Sequence, residues 1–229
     1  MFGVLYTSQH VVASSFVIAA LATFSTAVLC LAGLSWSSEK WRIPVAMVAV
    51  ATLASALHYA GAASLWLQGG GSSGGIRFAA WFTVHPLQVA AMYFFVRALA
   101  KPPVGIFWRT AAAALLMVFA RYLGDAGFFN PTLGVLLSIG FWLYILGEFY
   151  FGPLADVVRR QSRAVRLGYF WIRLIMTVGW AIYPILHFVD VVIGAGQSPS
   201  IVALYTLFDL INLITPSLII LAVAGQERF

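Results

Sequence analysis

Charged residues, cysteine and lysine are all scarce in this 229-residue sequence. Charged side chains make up 9 % of the chain, whereas a soluble domain carries about 25 %. The single cysteine, Cys30, excludes an internal disulfide and a cysteine-based metal cluster. The only lysines are Lys40 and Lys101. These shortages indicate an integral membrane protein. Its net charge of +6 therefore has to be analysed separately for each segment between apolar runs, and it does not indicate nucleic-acid binding.

Hydrophobic residues make up 62 % of the chain, and its mean hydropathy is +0.95. A hydrocarbon core about 30 Å thick needs about 20 apolar residues per helix. Seven runs meet this requirement, at about 11–34, 43–67, 77–99, 104–124, 131–152, 168–190 and 201–224. The expected fold class is therefore an all-α bundle of seven transmembrane helices in one domain, residues 1–229. Because no cleavage site follows the first run, we expect it to remain a span.

Basic residues are concentrated in alternate connections between these runs. The first, third and fifth connections and the C-terminal tail hold Lys40, Arg42, Arg97, Lys101, Arg159, Arg160, Arg163, Arg166 and Arg228. The positive-inside rule therefore predicts an external N-terminus and a cytoplasmic C-terminus. Residues 159–166 are expected to contact anionic lipid headgroups, with a cytoplasmic or membrane protein partner as the alternative. Residues 69–75 are all glycine or serine and predict a flexible external loop.

Aromatic and polar residues recur at helical spacing inside three of the runs. A spacing of three, four or seven residues places side chains on one helix face. The shared faces are Arg77, Ala80, Trp81, Val84 and Gln88; Trp180, Tyr183 and His187, interrupted by Pro184; and Tyr205, Asp209, Leu213 and Pro216. A bundle interior lined in this way fits a flat apolar ligand, although the same spacing also fits a simple core.

Asp209 is a lone carboxylate at membrane depth, where a charge is costly and faces the bundle interior. We expect it to pair with Arg77, with His58 or Tyr183 completing the hydrogen bonding. This cluster is either a structural ion pair or a ligand anchor. A haem or metal site built from the histidines His58, His85 and His187 is not expected, because their contexts do not place two imidazoles across one cavity.

Several segments resemble the microbial (type I) rhodopsin family. Residues 77–87, RFAAWFTVHPL, are similar to its third-helix pattern, residues 179–184, GWAIYP, to its sixth, and residues 205–209, YTLFD, to the start of its seventh. The proteorhodopsin and xanthorhodopsin branch is closest, through residues 39–42, 58–59, 122–125 and 138–146 and through Trp66. The resemblance covers all seven runs in order. It implies a retinal pocket lined by Trp81, Val84, Gln88, Tyr144, Trp180, Tyr183, His187 and Leu213.

The chain departs from that family at the positions that carry its chemistry. The lysine that forms the retinal Schiff base in the family corresponds to Leu213, the counterion to Ala80 and the cytoplasmic proton donor to Ala91. Leucine has no nucleophilic nitrogen, so no covalent pigment is expected. With Schiff base, acceptor and donor all replaced by apolar residues, the proton path of a pump has no carriers.

Three functions follow as hypotheses. The first is a retinal-free homologue, a membrane sensory or partner-binding protein and possible homo-oligomer that does not pump protons. The second is a protein that binds retinal or another apocarotenoid non-covalently, and the third is the family's light-driven ion transport. An enzyme is not expected, since no nucleophile–base pair appears. If the slot is open, Leu213→Lys with Ala80→Asp is expected to restore a coloured pigment.

Overall fold

The computed structural model describes residues 8–68, 74–193 and 198–227, and within them the side chains of 11–68, 77–189 and 198–227. Its regular structure in these ranges is helical throughout. The helices are α1 (Ser8–Trp36), α2 (Glu39–Leu67), α3 (Gly74–Arg97), α4 (Val104–Asp125), α5 (Pro131–Phe151), α6 (Pro153–Arg159), α7 (Arg163–Leu174), α8 (Trp180–Ile193) and α9 (Pro199–Gln226). A π-helical turn, Ile175–Gly179, joins α7 to α8.

Seven of the described helical stretches are long and apolar enough to cross a membrane. Helices α5 and α6 together form the fifth, and α7, the π-turn and α8 form the sixth. The predicted all-α bundle of seven spans is confirmed. Most helices extend a few residues beyond the predicted runs, because hydropathy marks only the apolar part and polar end residues continue the helix. The membrane orientation of the termini remains a prediction.

Side-chain caps and prolines set several helix starts. The Asn130 side chain accepts a 2.9 Å hydrogen bond from the Thr132 backbone N–H, and Pro131 occupies the first turn of α5. Ser162 and Ser198 cap α7 and α9 in the same way. Gly152 has extended backbone and Pro153 follows it, so the fifth span breaks there into α5, which matches the predicted run, and α6, which lies beyond it.

The sixth span is interrupted at a different place from the one predicted. Helix α8 continues through Pro184, and the irregularity lies earlier, in the π-turn Ile175–Gly179. Two side chains from neighbouring helices donate to carbonyl groups of this turn, Trp142 Nε1 to Met176 at 2.9 Å and Asn212 Nδ2 to Gly179 at 2.9 Å. In a regular α-helix these carbonyl groups would accept hydrogen bonds from backbone N–H groups one turn later. Here the side chains of Trp142 and Asn212 donate to them instead.

Two predictions concern residues only partly within the described ranges. Of the predicted glycine- and serine-rich loop, residues 69–73 lie outside them, and residues 74 and 75 form the start of α3. Arg228 of the basic tail also lies outside the described residues.

Helices α4 and α5 approach each other closely at Gly134. A Cβ atom at Gly134 would stand 2.7 Å from the Ala120 carbonyl oxygen and 3.0 Å from Gly124 Cα. These are backbone atoms, which cannot rotate away. Close approach through small residues is a common way of packing helices in lipid, where burial of apolar surface between helices supplies little driving force.

Gly134→Ala should therefore destabilise the bundle by about 1–3 kcal/mol, because the methyl group overpacks a backbone contact. Gly140→Ala on the same helix is the matched control, since a Cβ atom there meets nothing within 4 Å. Thermal unfolding of both variants in detergent measures the difference. Equal stability of the two variants would contradict the packing described here.

Candidate functional site

Two neighbouring cavities lie inside the bundle, and four side chains line both of them. The smaller has a volume of about 20 Å³ and reaches Asp209 and Leu213. The larger has a volume of about 50 Å³ and reaches α4 and α5. The four shared side chains, which separate the cavities, are Trp81, His85, Trp180 and Tyr183.

The His85 ring occupies the space between the two tryptophans of this wall. Its centroid lies 4.8 Å from that of Trp180 and 5.7 Å from that of Trp81. Its Nδ1 atom lies 3.3 Å from the Trp81 carbonyl oxygen, and the residue is 5 % exposed. The position of His85 in this wall was not predicted, because a histidine directly before a helix proline belongs to no recognisable sequence pattern.

A hydrogen bond from Gln88 to the α9 backbone crosses the interior beside the smaller cavity. Gln88 Nε2 donates to the Asn212 carbonyl oxygen at 2.6 Å, joining α3 to α9. Asn212 Nδ2 donates to the Gly179 carbonyl and, at 3.0 Å, to the Tyr183 hydroxyl. A Cβ atom at Gly179 would collide with the Asn212 amide, so only glycine permits this approach. Asn212 was not predicted, because it lies one residue before Leu213 and therefore on a different side of the helix from the face shared by Asp209 and Leu213.

Asp209 is held by two tyrosine hydroxyl groups. Tyr183 donates to Oδ1 at 2.5 Å and Tyr59 donates to Oδ2 at 2.6 Å. The Tyr183 contact agrees with the expected hydrogen bonding, and Tyr59 is an addition from α2. His58 lines the smaller cavity, and its ring centroid lies 4.9 Å from that of Tyr59.

The predicted direct ion pair between Arg77 and Asp209 is wrong. Among the described side chains, the ion pairs join Arg109 to Glu148, Arg121 to Asp125 and Arg159 to Asp156. The Arg77 guanidinium instead lies 4.6 Å from the centroid of the Tyr205 ring. That ring stacks on Tyr183, with centroids 6.0 Å apart and planes 9° from parallel. Arg77 therefore packs on the Tyr205 ring and does not reach ion-pair distance from the Asp209 carboxyl group.

The remaining predicted positions divide between the cavities and other parts of the structure. Ala80, Val84, Gln88 and Leu213 line the smaller cavity. Leu213 is 3 % exposed and packs with Ala51 and Val84. Ala91 is fully buried in the main hydrophobic core and lines neither cavity.

Tyr144 and His187 were placed in the pocket wrongly. Tyr144 is 42 % exposed and donates to Glu148 Oε1 at 3.1 Å. Trp142 lines the larger cavity instead, and two residues along a helix turn a side chain by about 200°. His187 is buried, but its Nδ1 atom lies 3.2 Å from Arg121 Nη1, and the residue lines neither cavity.

Histidine and acidic side chains do not form a metal centre in the described part of the chain. Within residues 11–68, 77–189 and 198–227, His, Cys, Asp and Glu form no group of three or more that could hold an ion. Of the three histidines considered, His58 and His85 line the smaller cavity and His187 does not.

Comparison with known proteins gives consistent matches along most of the chain. The family model described as bacteriorhodopsin-like protein matches residues 10–226. The chain is 29 % identical over 192 residues to the blue-light absorbing proteorhodopsin of Gamma-proteobacterium Hot 75m4, covering 83 % of this chain and 76 % of that protein. It is 27 % identical over 191 residues to the green-light absorbing proteorhodopsin of Gamma-proteobacterium EBAC31A08, covering 83 % and 77 %.

Solved structures show the same fold. The crystal structure of blue light-absorbing proteorhodopsin from Med12 is 26 % identical, with a TM-score of 0.78 over 94 % of this chain and 98 % of that one. Xanthorhodopsin, described as a light-driven ion pump with dual chromophore, superposes with a TM-score of 0.84 over 96 % and 94 %. At 20 % identity this second likeness concerns the fold alone.

Removing the Tyr183 hydroxyl group tests the Asp209 cluster. Tyr183→Phe deletes a donor to Asp209 and an acceptor for Asn212, so it should lower the free energy of unfolding by about 1–3 kcal/mol. Tyr144→Phe is the control, because its hydroxyl group donates to Glu148 on the exposed side of the bundle. Thermal unfolding in detergent measures both. An equal effect of the two substitutions would contradict a stabilising role for the buried contact.

Proposed function

Because the chain belongs to the bacteriorhodopsin-like family, we propose that it is a retinal-free member, a membrane sensory or partner-binding protein that does not pump protons by itself. It is a multi-pass protein of the cell membrane, as its seven apolar helices and proteorhodopsin relatives indicate. The observation that carries the proposal is that the protein's own side chains fill the space between Trp81 and Trp180.

The first support is the distribution of amines. A Schiff base needs an uncharged lysine nitrogen within reach of the aldehyde. Lys40 lies exposed in the first turn of α2, and Lys101 lies exposed after α3. At the proposed position of the family's lysine, Leu213 presents hydrocarbon packed against Ala51 and Val84.

The second support is the lack of room. Ligand pockets for drug-sized molecules measure about 300–1,000 Å³. The two cavities here measure about 50 and 20 Å³, and His85 stands between them. The bond from Gln88 to Asn212 closes the route between α3 and α9 beside the smaller cavity. A polyene entering this space would have to displace the His85 ring and break the hydrogen bond from Gln88 to Asn212.

The third support concerns proton transfer. At the proposed counterion and donor positions stand Ala80 and Ala91, whose methyl groups cannot carry a proton. Asp209 remains, but both of its oxygens already accept hydrogen bonds from tyrosines. This arrangement fits a structural role for the carboxyl group better than a place in a proton relay. The relatives' light-driven transport is therefore the least supported of the three functions.

A second candidate function is non-covalent binding of retinal or another apocarotenoid. It is favoured by the larger cavity, where three tryptophans, Trp81, Trp142 and Trp180, form much of an apolar wall. Aromatic walls suit flat conjugated ligands, but this cavity would have to expand several-fold to hold one.

A partner surface is proposed at the connection predicted to be cytoplasmic. Arg159, Arg163 and Arg166 are exposed there, and Ser162 is tied to the end of α9 by a 2.6 Å hydrogen bond to Glu227. A basic surface anchored to the bundle fits an acidic protein partner or anionic headgroups. Homo-oligomer formation remains part of the proposal as well.

Adding all-trans retinal to the purified protein distinguishes the two main functions. We expect no red-shifted visible band, because Lys40 and Lys101, the two lysines of the sequence, are exposed and lie outside the two cavities. An unshifted retinal band that organic solvent extracts would favour the second candidate. A red-shifted band that hydroxylamine bleaches would show a protonated Schiff base and would overturn the proposal.

Restoring the pigment should require removal of the His85 ring. Leu213→Lys with Ala80→Asp supplies an amine and a counterion, but the filled interior should keep the double variant colourless. Adding His85→Ala removes the ring between the two cavities, so the triple variant should form more coloured pigment than the double variant. Adding His85→Phe is the matched control, because it keeps a ring between the tryptophans. Colour in the double variant alone would contradict a closed interior.

A further inference from the structure

Arg173 lies in the last turn of α7, ten residues into the sixth span, and two tyrosine rings cover its guanidinium group. The guanidinium carbon lies 4.3 Å from the centroid of the Tyr150 ring and 4.9 Å from that of Tyr169. Both rings are fixed by their own hydroxyl groups, since Tyr150 bonds Thr177 at 3.0 Å and Tyr169 donates to the Phe149 carbonyl at 2.8 Å. The group is therefore held in one orientation.

Most hydrogen-bonding capacity of this guanidinium is unused within the described part of the protein. Arginine has five N–H donors. One of them, on Nη1, meets the Phe149 carbonyl at a long 3.4 Å, and Nε is buried without an acceptor. The ion pairs among the described side chains engage other arginines, so no described carboxylate compensates this charge at ion-pair distance.

Arg173 lies beside side chains that are exposed on the outside of the bundle. It reaches the carbonyl of Phe149, two residues before the end of α5, where Phe151 is 87 % exposed. On its own helix, Phe170 and Trp171 are 46 % and 50 % exposed. Exposed tryptophan and tyrosine are typical of the headgroup level, and a long cationic side chain directs its charge toward that level.

We propose that Arg173 binds the phosphate group of an anionic phospholipid at the cleft between α5 and α7. A charged group inside a span is costly unless it is compensated, and the compensating charge here must come from outside the described chain. Arg173 is partly exposed, although two tyrosine rings pack on its guanidinium group and its Nε atom is buried. The outer end of the guanidinium is left to an external acceptor, and two N–H groups on that end match two phosphate oxygens.

A lipid fits this position better than a soluble anion does. The neighbouring exposed side chains, Phe170 and Trp171, are apolar and suit acyl chains and the headgroup boundary. Arg166 lies seven residues earlier, about 10 Å along the same helix face, and is exposed. It supplies general attraction toward an anionic surface, whereas Arg173 supplies a fixed site.

Native mass spectrometry tests the proposal on protein reconstituted in an equimolar mixture of phosphatidylcholine and phosphatidylglycerol and then released into detergent. The natural protein should retain one phosphatidylglycerol in preference to phosphatidylcholine. Arg173→Gln should weaken that retention about tenfold, the loss expected for a charge-assisted bidentate contact. Arg109→Gln is the matched control and should change it less than twofold, because the Arg109 guanidinium already pairs with Glu148 at 2.9 Å.

Arg173→Lys is a second variant in case Arg173→Gln does not fold. It keeps the positive charge but lacks the planar guanidinium group that can donate two parallel hydrogen bonds. It should give intermediate retention, with helical content and unfolding temperature close to those of the natural protein. Equal retention of phosphatidylglycerol by the natural protein and Arg173→Gln would overturn the proposal. Equal retention of both lipids by the natural protein would also overturn it. So would a finding that inorganic phosphate, at millimolar concentration, binds the site with the same affinity as phosphatidylglycerol and displaces it.

Discussion

The carboxyl group of Asp209 imposes the strictest requirement on this bundle. A carboxylate at membrane depth loses its hydration and has to be compensated by the protein. Tyr59 and Tyr183 supply the compensation by donating to its two oxygens, and Tyr183 in turn accepts from Asn212. Hydrogen bonds to a charged group contribute about 1.5–3 kcal/mol each, so the two tyrosines offset part of the cost of burying the carboxyl group. Helices α2, α8 and α9 meet at this group as a consequence.

The same contacts explain why the interior is closed. Tyr183 and Asn212 hold α8 and α9 together, which brings Trp180 against the His85 ring on α3. Gln88 adds a second link, from α3 to the α9 backbone. Leu213 packs as hydrocarbon with Ala51 and Val84 beside these links. A bundle stabilised across its middle in this way leaves little room for a large ligand.

Much of this fold could be predicted because hydropathy and helical spacing depend only on local sequence. The seven spans follow from apolar runs, and the face carrying Trp81, Val84 and Gln88 follows from periodicity. Periodicity shows neither how far a side chain extends nor how each helix is rotated about its axis relative to its neighbours. The family resemblance assigned Tyr144 to the interior, where Trp142 lies instead, and periodicity did not indicate that Arg77 packs on the Tyr205 ring. His85 and Asn212 act through packing between distant helices, for which the sequence carries no local pattern.

The most direct test is an experimental density map of the interior, obtained from protein purified out of cells supplied with retinal. The filled interior predicts the His85 ring between Trp81 and Trp180, with Gln88 bonded to the α9 backbone and no elongated density beside them. Continuous polyene density between the two tryptophans, with the His85 ring turned away, would contradict it.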